Sequence, residues 1–259
     1  MPASPLRPKL RKREIALAVG IGALAAFGAG TILSIDDGSG PPAAVAAVPQ
    51  TYNLTDFDEI TTTGPQDVFV TLGDSFSVRS EGAPQALGQL DVLVEDGKLV
   101  IRPGRSFRGN WGGLSSATYH VTMPRLDAVA LAGSGGMHID RIDSPSFTGT
   151  VAGSGDLSID ALKVDEVDFR LNGSGSVAAA GTAREARISV GGSGEVEAGG
   201  LQSETASVSV GGSGSAALTV IDEARVSVMG SGDVDITGPA RCNVSRMGSG
   251  DVSCSGGTD

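Results

Sequence analysis

The residues able to do chemistry are few. His120 and His138 are the only imidazoles in the chain, so general acid–base work would fall to carboxylates. Glu195 with Glu197, and Asp233 with Asp235, alternate along the chain and share one outward parity. Sugar hydrolysis uses such carboxylate pairs, though they equally serve as solvating charges. Serines recur in Gly-Ser-Gly triplets, but there is no G-x-S-x-G elbow and no histidine in repeating register to activate them. The absence of H-E-x-x-H and C-x-x-C argues against a dedicated zinc site. Calcium is a sharper rival, because coiled calcium repeats place Asp soon after a glycine turn. Asp156, Asp233 and Asp251 directly follow triplets, with Asp233 and Asp251 the best pair. The other repeats put Gly136, Ser176, Glu195 and Ser215 there, which breaks the ladder of six to eight oxygens that calcium needs. Phosphate binding by a glycine loop needs a helix behind it, and none follows. This reading assigns no catalytic residue, no cofactor and no metal.

The elements that would position these groups follow from the triplets. Their first glycines are Gly133, Gly153, Gly173, Gly192, Gly212, Gly230 and Gly248, spaced 20, 20, 19, 20, 18 and 18 residues apart. Each is followed two residues later by Gly135, Gly155, Gly175, Gly194, Gly214, Gly232 and Gly250. A fixed period near 20 marks a solenoid. Two residues before the first glycine stand Leu131, Val151, Leu171, Val190, Val210, Val228 and, last, Arg246; four residues after it stand Met137, Leu157, Val177, Val196, Ala216, Val234 and Val252. Apolar residues at even offsets and polar ones at odd offsets are strand alternation. Each unit reads as two short strands joined at a glycine corner and followed by a polar turn. Both corner glycines fall on the inward parity, and the serines stack outward as a hydroxyl ladder. Stacking the units puts Val and Ile in continuous dry columns.

Cys242 and Cys254 occupy the inward parity at opposite ends of the last unit. If the chain reverses at Gly248–Gly250, they lie side by side. A disulfide clamping the last coil is expected, with two buried free thiols as the alternative.

The first 14 residues hold five basic side chains, and residues 15–35 form an uncharged apolar run. That run is long enough to cross a bilayer as a helix. An uncleaved anchor is expected, with a cleaved signal peptide as the alternative; the basic side stays cytoplasmic. Residues 36–51 read as a flexible linker. Net charge is −11, which argues against nucleic acid as a partner. Residues 52–130 alternate without triplets and are read as a β region capping the coil. Asp96-Gly97 supplies a hairpin turn, and the glycine-rich loop around Trp111 is the candidate mobile binding loop.

The stretches FDEITTTGPQDVFVTLGDSFSVRSEG, KLVIRP and YHVTMPRLDAVALAGSG, followed by the GSGDV units, resemble the head GIN domain family of auto-transporter adhesins. The resemblance covers roughly residues 52–256 and implies a right-handed solenoid in the cell envelope, with no catalytic residues to carry over. The fold expected is thus all-β: a right-handed parallel β-solenoid over 131–256 with an N-terminal β cap, preceded by one transmembrane helix. The function expected is a non-enzymatic adhesin or scaffold, anchored in the inner membrane with its C-terminal domain in the periplasm or outside the cell. Its partner would be an unknown envelope ligand, a glycan or a protein. A carbohydrate-processing β-helix and a self-stacking structural polymer are the alternatives.

Overall fold

A computed structural model describes residues 49–105, 107–109 and 117–256. The expected transmembrane helix at 15–35 and the loop residue Trp111 lie outside the described residues. Among the described residues no helix is long and apolar enough to cross a membrane.

The repeats form coils. Strands β10 (Ile142–Gly153), β11 (Asp156–Gly173), β12 (Ser176–Gly192), β13 (Glu195–Gly212) and β14 (Ser215–Gly230) pair in parallel, each with the next. The next coil is split into β15 (Asp233–Thr237) and β16 (Arg241–Gly248), and β17 (Val252–Cys254) begins the layer after it. Register follows the triplets: Gly153 pairs with Gly173, Gly173 with Gly192, Gly192 with Gly212, Gly212 with Gly230, and Gly230 with Gly248. The seven bends therefore lie over one another.

The two corner glycines do different jobs, which corrects the expectation that both face inward. The first glycine of each triplet is at least partly exposed and has φ between +114° and +139°, a conformation that L side chains avoid. The second is buried without a positive φ, and a Cβ at either position would collide with backbone of the preceding layer. Across the bend, the N–H groups of Ser154, Ser174, Ser193, Ser213, Ser231 and Ser249 donate to the first-glycine carbonyl one layer back, at 2.8–2.9 Å. Close backbone approach and ladder bonding together explain why the triplet recurs.

The expected polar turns are corrected in the middle coils. From β11 to β14 the stretches between triplets stay strand, β11 running unbroken for 18 residues, whereas breaks at Asp140–Arg141 and Gly238–Ala240 fall where turns are expected. The alternation of β11 shifts phase where two exposed residues adjoin, at Asp160–Ala161 and at Asp165–Glu166. Each shift turns the chain while preserving parallel pairing. The inward set in this coil is Leu157, Ile159, Leu162, Val164, Val167, Phe169 and Leu171, all buried. Full burial of one such side chain contributes about 1.5–3 kcal/mol, repeated layer by layer.

Parallel stacking begins before residue 131. Strands β2 (Glu59–Gly64) and β3 (Asp67–Leu72) pair in parallel with β8 (Ala128–Gly133) and β9 (Gly136–Ile139). Gly64, at φ +127°, pairs with Gly133, so Gly64-Pro65-Gln66 is an eighth corner without the triplet. On the other side of β2 and β3 lie β6 (Lys98–Pro103) and β7 (Thr118–Met123). Spatial order thus departs from chain order. Beyond them the pairing turns antiparallel. Strand β5 (Leu90–Glu95) joins β6, while β4 (Ser77–Glu81) joins β7 and carries β1 (Gln50–Tyr52). The short helix α1 (Pro84–Leu87) buries Ala86 and Leu87. The β5–β6 turn has both Asp96 and Gly97 at positive φ, the signature of the tight primed hairpin.

At the other end, Cys242 and Cys254 form a disulfide with Cα atoms 6.5 Å apart. Arg246 occupies the column that is buried Leu or Val in the layers before it. Its Nη1 donates to the Gly250 carbonyl at 3.2 Å and lies 3.6 Å from the Asp251 carboxylate. A charge in an inward column blunts an open sheet edge.

Candidate functional site

Two outward surfaces of the coil carry the candidate groups. On the strands entering each corner, Ser189, Ser209, Ser227 and Ser245 pair rung to rung in one exposed column. Neighbouring rungs are about 4.8 Å apart. A second column is the triplet serines themselves, from Ser134 to Ser249, all exposed. The hydroxyls of both columns make no hydrogen bond to another described residue. They form a regular array of free donors and acceptors on a rigid backbone.

The strands leaving each corner carry the carboxylates. Asp67 Oδ1 accepts the Gly136 N–H at 2.9 Å. Asp156 Oδ1 accepts the Ser176 hydroxyl at 2.7 Å and its N–H at 3.2 Å. Asp233 Oδ1 accepts the Asp251 N–H at 2.9 Å. An aspartate directly after a corner, at Asp67, Asp156 and Asp233, thus ties its layer to the next through an N–H just outside the bend. This gives the Asp233–Asp251 pair a backbone role, and no group of three His, Cys, Asp or Glu able to hold a metal occurs among the described residues. Glu195, Glu197, Asp233 and Asp235 are all exposed. Glu195, Asp233, Asp235 and Asp251 line a shallow depression of about 440 Å³ with Ser215 and Ser253.

The two histidines have a place that sequence reading missed. They flank Phe69 in one outward column, from β7 through β3 to β9. Phe69 stacks on His120 at 5.4 Å between ring centroids, and His138 sits 6.1 Å away on the other side. His138 Nε2 lies 3.1 Å from Asp160. The signal was available: Phe69 follows the Gly64 corner by five residues, as His138 follows Gly133. Recognising Gly-Pro-Gln as a corner would have aligned them.

Charge on the edge between triplets is largely self-neutralised. Glu166 and Glu185 pair across adjacent layers, and Arg187 bridges both carboxylates. Arg184 Nε sits 3.0 Å from Asp165. Near the cap, the Glu59 carboxylate holds the Lys98 ammonium above its usual pKa by hydrogen bonding. Burial pushes the Tyr119 phenol well above its usual range, and the neighbouring Tyr52 adds to this.

Taken together, these coils define a parallel β-solenoid whose exposed groups form columns rather than a cleft. The sequence profile described as "Putative auto-transporter adhesin, head GIN domain" matches residues 56–240. The chain belongs to that family. Solved structures share the fold. A "putative adhesin" from Bacteroides fragilis superposes with a TM-score of 0.74 at 20% identity, covering 81% of this chain and 97% of that one. A "putative lipid binding protein" from Parabacteroides distasonis gives 0.64 at 22% identity, with 80% and 96% covered. A "putative adhesin" from Parabacteroides merdae gives 0.58 at 18%, with 80% and 95% covered. No curated protein is recognisably similar.

Proposed function

We infer that this is a non-enzymatic, membrane-tethered protein of the bacterial cell envelope that binds a glycan or protein ligand on an exposed solenoid flank. The observation that carries this reading is the in-register serine column Ser189–Ser209–Ser227–Ser245. A repeating hydroxyl array on a stiff scaffold suits a repeating or extended ligand, because several weak polar contacts add through one rigid body. The apolar run at 15–35 behind five basic residues supports tethering. No histidine stands in the serine columns to activate a hydroxyl. Arg246 at the open end speaks against a self-stacking polymer.

The test is a glycan and protein array probed with residues 50–259, which hold every described coil and the cap. Saccharide or protein binding without turnover is the expected result. Release of sugar would replace this reading with the carbohydrate-processing one. Binding that survives conversion of Ser189, Ser209, Ser227 and Ser245 to Ala would move the site to another flank.

A further inference from the structure

Three large hydrophobic side chains are exposed among the described residues: Phe69, Met229 and Met247. Phe69 is accounted for by its stack on His120. The two methionines are 63% and 71% exposed and are not among the side chains that pack on the core. They are direct partners in the β14–β16 pairing, so their Cα atoms stand opposite each other on neighbouring rungs. In earlier coils the same column carries Ala132, Ala152, Asn172, Gly191 and Gly211, which are small or polar. Packing therefore does not call for a long thioether here, yet two occur together.

We propose that Met229 and Met247 form a binding site for a soft monovalent metal ion, copper(I) or silver(I). Thioether sulfur is a soft donor that favours such ions over hard divalent ones. A zinc–thiolate bond is about 2.3 Å; bonds from copper(I) or silver(I) to thioether sulfur are of that order or slightly longer, so a linear sulfur–metal–sulfur unit spans about 4.6–5 Å. Adjacent strands are about 4.8 Å apart. The parallel register thus supplies the spacing for two-coordinate ligation, and methionine's three rotatable bonds supply the adjustment. The exposed position leaves room for a solvent molecule as a further ligand. Among the described residues competition from other sulfur is small: Cys242 and Cys254 are joined as a disulfide, and Met123 and Met137 are buried. The imidazoles lie in the β7 and β9 layers, well removed from β16. This site is independent of the ligand reading above, since it needs neither the serine columns nor the tether.

The experiment is a silver nitrate titration of the full-length protein in chloride-free buffer, with methionine methyl groups labelled with carbon-13 and followed by NMR. Silver(I) serves as the redox-inert probe. The Met229 and Met247 methyl signals, assigned from M229L and M247L, should move together and saturate at one equivalent. Those of Met123 and Met137 should stay in place. Either single Leu variant should weaken binding at least tenfold while leaving the circular dichroism spectrum unchanged, because the side chain is outside the core. Unmoved Met229 and Met247 signals at one equivalent would overturn the proposal. So would full affinity in both single variants, which would mean two separate weak sites rather than one shared ion.

Discussion

Replacing Gly192 with alanine is the sharpest test of the corner. Its φ is +114°, and an added Cβ would stand 2.5 Å from the Gly173 carbonyl oxygen. The left-handed conformation alone costs an L residue about 1–2 kcal/mol. Relieving the clash means moving that carbonyl, which accepts the Ser193 N–H at 2.9 Å. Loss of such a bond costs about 0.5–1.5 kcal/mol. The sum is about 2.5 kcal/mol. For a domain of this size one kcal/mol moves the melting temperature by about 2–4 °C, so a fall of about 5–10 °C is expected by thermal circular dichroism. The matched control is Gly211→Ala, in the next layer and one position before its corner. That glycine has no positive φ, and the nearest heavy atom to its added Cβ is 3.9 Å away. Its melting temperature should stay within about 2 °C of the parent, as for surface changes of under 0.5 kcal/mol. Hydrogen exchange should localise the Gly192→Ala damage to the layers on either side. Equal melting temperatures for the two variants, with no local loss of protection, would refute the idea that backbone approach at the bend dictates glycine.

Other perturbations probe the ends. Converting Cys242 and Cys254 to Ser should lower stability by about 3 kcal/mol, with exchange protection lost first in residues 241–256. Arg246→Val should promote end-to-end association relative to the parent, seen by sedimentation velocity, because it exposes an apolar edge where a charge had blunted it. Tyr119→Phe bears on alkaline behaviour. The folded state holds that phenolic proton more tightly than the unfolded chain, whose pKa is near 10.0. Stability is therefore full below pH 10 and falls as pH rises above it. The Phe variant should retain its melting temperature at pH 8 and lose less than the parent at pH 11.

The inward columns were legible because strand parity and a fixed period report burial directly. Gly149 is the exception in an inward column otherwise filled by Val129, Phe169, Ile188, Val208, Val226 and Val244. Its missing side chain leaves room for Phe169, whose ring would lie 2.9 Å from an added Cβ. The extra bends were not legible. Asp160, Asp165 and Glu166 look like loop residues in isolation; the parallel pairing skips Asp160 and Asp165 and resumes at Leu162 and at Glu166. The first corner escaped notice because Pro65 and Gln66 replace Ser and Gly. Gln66 reaches inward instead, donating to the Thr62 hydroxyl at 2.9 Å. The outward ladder of triplet serines followed from parity, whereas the Ser189–Ser209–Ser227–Ser245 column came with the register and the grouping of His120, Phe69 and His138 required knowing that β3 lies between β7 and β9.

That interleaving bears on how the molecule is made. The layer of β2 and β3 has β6 and β7 on one side and β8 and β9 on the other. During synthesis, residues 59–72 must wait until residue 139 has been made before both neighbours exist. Each later stretch of about 20 residues then finds a finished template with its bend already set. Assembly is slow to start and quick to extend, so the vulnerable period for misfolding falls before residue 139 has been made.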